Sequence, residues 1–163
     1  MKGSCLCGGV VFEVTKVTGP FEICHCNRCR KVSGSQGMAA VAVQRAGYQL
    51  LAGESLIQSY MAPIIYGPPA YETYFCGRCG SPTPPAHPDT DVFEIPAGLL
   101  DDDVSLKPDK HIFVEYLPDW DTITDDLPQY DMRQLVQLRN GAPLPDDFVQ
   151  KSHFETLPAG ENE

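Results

Sequence analysis

No apolar run in this 163-residue chain approaches the 18 residues that a membrane-spanning helix requires. Positive charge is also scarce. Lys and Arg number 12 against 22 Asp and Glu, a net charge of −10. Nucleic-acid affinity rests mainly on cations that neutralise phosphates, so a chain this acidic is not expected to bind nucleic acid. An anionic membrane is no better a partner. The opening Met1-Lys2-Gly3-Ser4-Cys5 lacks the apolar stretch and the cleavage site of a secretory leader. The expected location is the cytoplasm, where thiols stay reduced. Phosphate-binding glycine loops, serine nucleophile elbows and dinucleotide fingerprints are absent as well.

Stretches with helical periodicity are few, while 15 prolines and 14 glycines punctuate the chain. Short strands joined by turns are the expected outcome. Strands are predicted over 10–14, 38–43, 48–51, 56–60, 71–75 and 92–95, with a further piece over 97–100 and a last one over 111–116. A short helix capped by Asn27 is predicted after Cys26, ending at the glycines Gly34 and Gly37. A second short helix is predicted over 132–139. Residues 61–70 and 82–88 are proline-rich and read as loops. One domain is expected over 1–140, followed by an extended tail over 141–163.

Seven cysteines remain to be explained. Three of them, Cys24, Cys26 and Cys29, lie in Cys-His-Cys-Asn-Arg-Cys-Arg-Lys-Val-Ser-Gly. The others form the pairs Cys5 with Cys7 and Cys76 with Cys79. An odd number cannot pair completely in internal disulfides, and a reducing location disfavours them further. Metal is the better reading. Two close pairs give a closed four-cysteine site of the structural zinc type: Cys5, Cys7, Cys76 and Cys79. The trio would then hold a second zinc with one position open, the arrangement of catalytic sites. A competing partition joins the trio to Cys5 or Cys7, but it strands one sulfur of a pair. A third arrangement completes the trio with His25 or another histidine. Arg28, Arg30 and Lys31 crowd the trio in an otherwise acidic chain. They favour thiolate and offer partners for the carboxylates of a small anionic substrate. Among other residues, His111 either lines a pocket or is a partly buried strand residue. Trp120 either packs or stacks at a site, and His87 reads as exposed. Asp101-Asp102-Asp103 reads as a solvated turn. Tyr60, Tyr66, Tyr71 and Tyr74 read as sheet-face residues.

Gly-Ser-Cys-Leu-Cys-Gly-Gly at 3–9, the segment 24–34 and Phe-Cys-Gly-Arg-Cys-Gly-Ser at 75–81 together resemble the glutathione-dependent formaldehyde-activating enzyme family. So do Glu-Ile-Pro-Ala-Gly-Leu-Leu-Asp at 94–101, Lys-His-Ile-Phe-Val at 110–114, and Trp120. The resemblance spans roughly 3–130. It implies a mainly β fold, a β-tent of several coiled antiparallel sheets with zinc knuckles and few helices. It implies two zinc ions per chain, structural on Cys5, Cys7, Cys76 and Cys79 and catalytic on Cys24, Cys26 and Cys29. It also implies carbon–sulfur lyase chemistry, in which formaldehyde and glutathione condense to S-hydroxymethylglutathione or the adduct is split. Arg30 and Lys31 are then expected to hold the substrate carboxylates. A non-catalytic zinc-stabilised binding domain and a thiol redox sensor stand as the alternatives.

Overall fold

The computed structural model describes residues 1–62 and 71–148. The chain is mainly β, with ten short strands in three sheets and two helices among these residues. No described helix is long and apolar enough to cross a membrane.

The central sheet has five strands: β3 (Val17–Cys24), β4 (Met38–Gln44), β8 (Val92–Pro96), β9 (Lys110–Ile112) and β10 (Gln129–Tyr130). Their order is β10-β9-β3-β4-β8. The sheet is mixed. β9 runs parallel to both β3 and β10, whereas β4 is antiparallel to β3 and β8. A second sheet, β1-β2-β5, is built from Lys2–Ser4, Val11–Val14 and Tyr48–Ala52. A hairpin of β6 (Ile57–Ala62) and β7 (Tyr71–Cys76) forms the third.

Side chains alternate across a strand, so each pairing register sorts residues onto faces. On one face of the central sheet Val43 and Ile95 meet Phe12 and Val14 of β2, all fully buried, with Leu99 beside them. The other face carries Cys24 opposite Met38 and Glu22 opposite Ala40, with Ile112 beside Cys24 in β9. Both helices lie over that face. Met132 and Leu135 pack there with Cys24, Cys26, Cys29, Ile112 and Phe113.

The first helix, α1 (Asn27–Ser33), starts one residue earlier than expected. Cys26, not Asn27, is its cap: its backbone is extended and its sulfur accepts the Cys29 N–H. Gly34 stops the helix at φ 64°, a left-handed conformation suited to glycine, and its N–H donates to the Arg30 carbonyl. The second helix, α2 (Met132–Asn140), opens with a reciprocal cap. The Asp131 side chain accepts the Gln134 N–H, and the Gln134 side chain accepts the Asp131 N–H.

Several expectations change. The piece at 97–100 is not a strand but a 3-10 turn, Ala97–Leu99. The strand at 111–116 ends at Ile112, because Phe113 sits at φ 59° and a 3-10 turn, Val114–Tyr116, follows. β3 runs through Thr18-Gly19-Pro20, with a register shift between Val17 and Phe21. Strands β1 and β10 carry no periodic signal, being three and two residues long. Asp101 and Asp102 do more than solvate a turn: they accept from Ser4 Oγ at 3.0 Å and the Lys2 N–H at 2.8 Å, fastening β1. Residues 141–148 hold no helix or strand, yet Leu144 and Phe148 pack on the helical core. Expectations for 63–70, for Tyr66 and for 149–163 fall outside the described residues.

Candidate functional site

The fold gathers the seven sulfurs into the two sets read from spacing. In each set the sulfurs lie within 4.8 Å of one another. None forms a disulfide.

The four-sulfur set is made by two knuckles. The turn after β1 carries Cys5 and Cys7, and the end of β7 and the turn that follows carry Cys76 and Cys79. The Cys5 and Cys7 sulfurs are 3.5 Å apart, and Cys7 and Cys76 are 3.9 Å apart. A disulfide requires about 2.05 Å. Tetrahedral zinc with bonds of about 2.3 Å spaces its sulfurs at about 3.8 Å, so this set fits that ion. Backbone N–H groups face the sulfurs too: Val10 donates to Cys5 Sγ at 3.2 Å. The thiols perturb one another. The Ser81 hydroxyl draws Cys79 down to about 6. Cys7 is pulled down most by the Gly9 N–H, but Cys5, burial, Cys79 and Cys76 together outweigh that and push it up to about 11.

The trio is assembled by a strand end and a helix start. β3 delivers Cys24, Cys26 caps α1, and Cys29 follows three positions on, the spacing that puts two side chains on one helix face. All three are buried. Hydrogen bonds from Cys24 first and Cys29 second hold Cys26 down to about 2. Cys26 in turn pushes Cys24 well above its ordinary value. Three sulfurs this close cannot all ionise without a cation among them, and a dication would favour the thiolate form of all three. Burial, donor type and spacing all suit zinc. Among the described residues no fourth Cys, His, Asp or Glu joins the set. His25 does not complete it, because its ring nitrogens contact Gln36 and His111 instead.

Helix α1, which carries Cys29, also carries three cations. Arg28, 8% exposed, lies over the Tyr71 ring at 4.7 Å. Tyr71 is therefore more than a sheet-face residue. Burial, then the charges of Cys29, Cys26 and Cys24, drive its hydroxyl pKa far above the ordinary value. Arg30 donates from Nη1 to the Tyr116 carbonyl at 2.9 Å and to Asn27 Oδ1 at 3.3 Å. Arg30 and Lys31 line a cleft of about 560 Å³ with Gly34, Gln36 and Trp120. Trp120, 71% exposed, does not pack into the core but walls that cleft. His87 is exposed as expected and meets Glu54 at 3.1 Å.

The sequence reading missed a chain of side chains behind the trio. His25 Nε2 lies 2.8 Å from His111 Nδ1, and His111 Nε2 lies 3.1 Å from both oxygens of Asp125. His25 and His111 are 3% and 4% exposed. His111 thus lines no open pocket. At the other end His25 Nδ1 faces the Gln36 carbonyl at 3.1 Å. The Leu127 N–H first, then His111, holds the Asp125 carboxyl below its ordinary value, so it only accepts. Burial lowers the His25 pKa, while the Gln36 carbonyl works the other way by favouring the charged ring. Nothing in the sequence marks Asp125, one of several aspartates in an acidic loop.

Comparison with known proteins places the chain beside a family, a curated relative and a solved structure. Residues 1–116 match the glutathione-dependent formaldehyde-activating enzyme family. A curated Halomonas elongata protein, provisionally named as a glutathione-dependent formaldehyde-activating enzyme, is 32% identical over 156 residues, covering 94% of each chain. A crystal structure of a Rhodobacter sphaeroides protein superposes with TM-score 0.46 and 20% identity over 66% of this chain and 92% of that one.

Proposed function

The chain belongs to the glutathione-dependent formaldehyde-activating enzyme family, and on that premise we propose that it is a zinc-dependent carbon–sulfur lyase. It joins a glutathione-like thiol to a small aldehyde, or splits the adduct. The observation that carries this reading is a buried three-thiol set, lacking a fourth side-chain ligand among the described residues, whose Cys29 lies on a helix that also presents Arg30 and Lys31 to a cleft.

Cys24, Cys26 and Cys29 would hold the reactive zinc, and Cys5, Cys7, Cys76 and Cys79 the structural one. Zinc on the trio would supply Lewis acidity and favour the thiolate form of an incoming thiol. The remaining work belongs to the chain. Arg30 and Lys31 bind the carboxylates of the thiol substrate in the cleft. Arg30 is already oriented by the Tyr116 carbonyl, so little side-chain freedom is lost on binding. Arg28 adds positive charge next to the cysteines. Trp120 walls one side of the cleft. Held this way, sulfur and aldehyde carbon meet as neighbours rather than by free encounter. One carbon–sulfur bond forms, the thiol proton ends on the aldehyde oxygen, and no oxidant is required. Seven unpaired thiols suit the reducing cytoplasm, where we place the protein.

The test is zinc content beside rate. Cys29→Ala should lower zinc from two ions per chain to one and abolish the zinc-dependent condensation of glutathione with formaldehyde. An unaltered rate in that variant would remove the trio from the mechanism.

A further inference from the structure

The strongest feature outside the sulfur sets is the buried chain His25–His111–Asp125. It starts between two of the cysteines and ends at the surface. We propose that His111 and Asp125 are positioning residues for the trio, acting through His25 to hold Cys24 and Cys26 ready for metal. This role rests on the metal assignment made above.

Four observations support it. First, His25 is flanked directly by Cys24 and Cys26, so whatever fixes residue 25 fixes the backbone joining two ligands. Second, residue 25 is held by both main chain and ring. Its N–H donates to the Ile112 carbonyl at 3.0 Å, and its Nε2 meets His111 Nδ1 at 2.8 Å. Both bonds reach β9, the strand paired in parallel with β3. Third, the ring fits a tight slot. A Cβ on Gly37 would stand 3.2 Å from His25 Nδ1 and 3.1 Å from the Cys24 carbonyl oxygen. Glycine at 37 leaves the space the ring uses. Fourth, the far end is anchored. Asp125 accepts from the Leu127 N–H at 3.0 Å as well as from His111.

The physical consequence concerns preorganisation. Sulfurs held at metal-binding separation do not have to be gathered on binding, and a segment that cannot swing away releases its ion slowly. The relay supplies that restraint without contributing a ligand. Asp125 also sits on the segment that carries Trp120, so the same chain ties the wall of the cleft to the trio.

Zinc release can be read separately at the two sulfur sets. Thiols freed by a chelator are trapped by pulsed alkylation, and mass spectrometry distinguishes peptides bearing Cys24, Cys26 and Cys29 from those bearing Cys5, Cys7, Cys76 and Cys79. The variants are His111→Phe, His111→Asn, which keeps a polar atom near the Nδ1 position, and Asp125→Ala on the surface. His111→Phe should speed release from the trio by about 10-fold or more, in the range typical of lost outer contacts around metal ligands. His111→Asn should fall between it and the wild type. Asp125→Ala should speed it several-fold. The four-cysteine set should release at the wild-type rate in all three.

Unchanged release from the trio in both His111→Phe and Asp125→Ala would overturn the relay alone. Equal acceleration at both sulfur sets would also overturn it, because that is what general loss of stability produces. A wild-type protein retaining zinc only on the four-cysteine set would overturn the metal assignment, and this role with it.

Discussion

At the scale of single residues, environment decides chemistry. Glu94 is an example. It pairs with Ala42 in β4, which puts it on the same sheet face as Glu22 and Cys24. Desolvation by its surroundings first, then the Glu22 charge, raises its pKa above the ordinary carboxylate value, though the residue is exposed and water screens much of the effect. Its carboxyl therefore ionises at higher pH in the folded chain than in the unfolded one. That contribution to stability is fully present below the unfolded value of about 4.3 and is lost as pH rises through the folded value. Thermal unfolding of Glu94→Gln should accordingly show a flatter decline than the wild type from about pH 4 towards neutrality; parallel profiles would deny the shift. Arg30 makes a different case. Its place in the cleft fits the proposed role in binding rather than in bond making. Arg30→Ala should raise KM for glutathione by about 10-fold or more, as expected for one lost charge-assisted contact, with kcat much less affected. A fall in kcat alone would contradict that assignment.

At the scale of elements, ends and registers matter more than propensity. Helix α1 is one residue longer at its start than Asn27 capping would allow, because the Cys26 sulfur takes the cap position. One side chain thus ends the approach to the helix and joins the trio. The apolar run at 38–43 was legible as a strand because it is buried on both faces, with Ala40, Val41, Ala42 and Val43 all enclosed. β9 was misread in length because Phe113 adopts a left-handed backbone, which no pattern of apolar residues announces. Helix α2 was legible, and its stability should rest partly on the Asp131–Gln134 cap. Asp131→Ala should cost about 1 kcal/mol, lowering Tm by about 2–4 °C for a chain of this size. An unchanged Tm would mean that packing of Met132 and Leu135 holds the helix without its cap.

At the scale of the whole molecule, the four-cysteine set joins parts of the chain distant in sequence. The turn after β1 meets the turn after β7, next to a core of Cys5, Val10 and Cys76. Closing a loop of this length restrains the unfolded chain, and a metal that binds only the folded arrangement adds its binding free energy to stability. Chelation strong enough to empty this set should lower Tm by a larger step than chelation that empties the trio. In Cys79→Ser, at the half-exposed edge of the set, the Tm should already be lowered and respond less to chelator. Equal Tm with and without chelator in the wild type would show that the apolar core alone holds the sheets together.

The sequence by itself determined the chemistry of the cysteines: which sulfurs are close neighbours in the chain, that seven cannot pair completely, and that cations cluster beside three of them. Such local facts are set by spacing of a few residues and survive any fold. It also determined the mainly β character, through proline, glycine and alternating apolar residues. Only the tertiary structure decided what stands around the trio. Tyr71 under Arg28, Trp120 at the cleft, and His111 with Asp125 behind His25 come from parts of the chain tens of residues away. The parallel pairing of β9 with β3 brings His111 beside Ile23. A parallel pair needs a long connection, and sequence periodicity records burial along a strand but not which strand lies next to it.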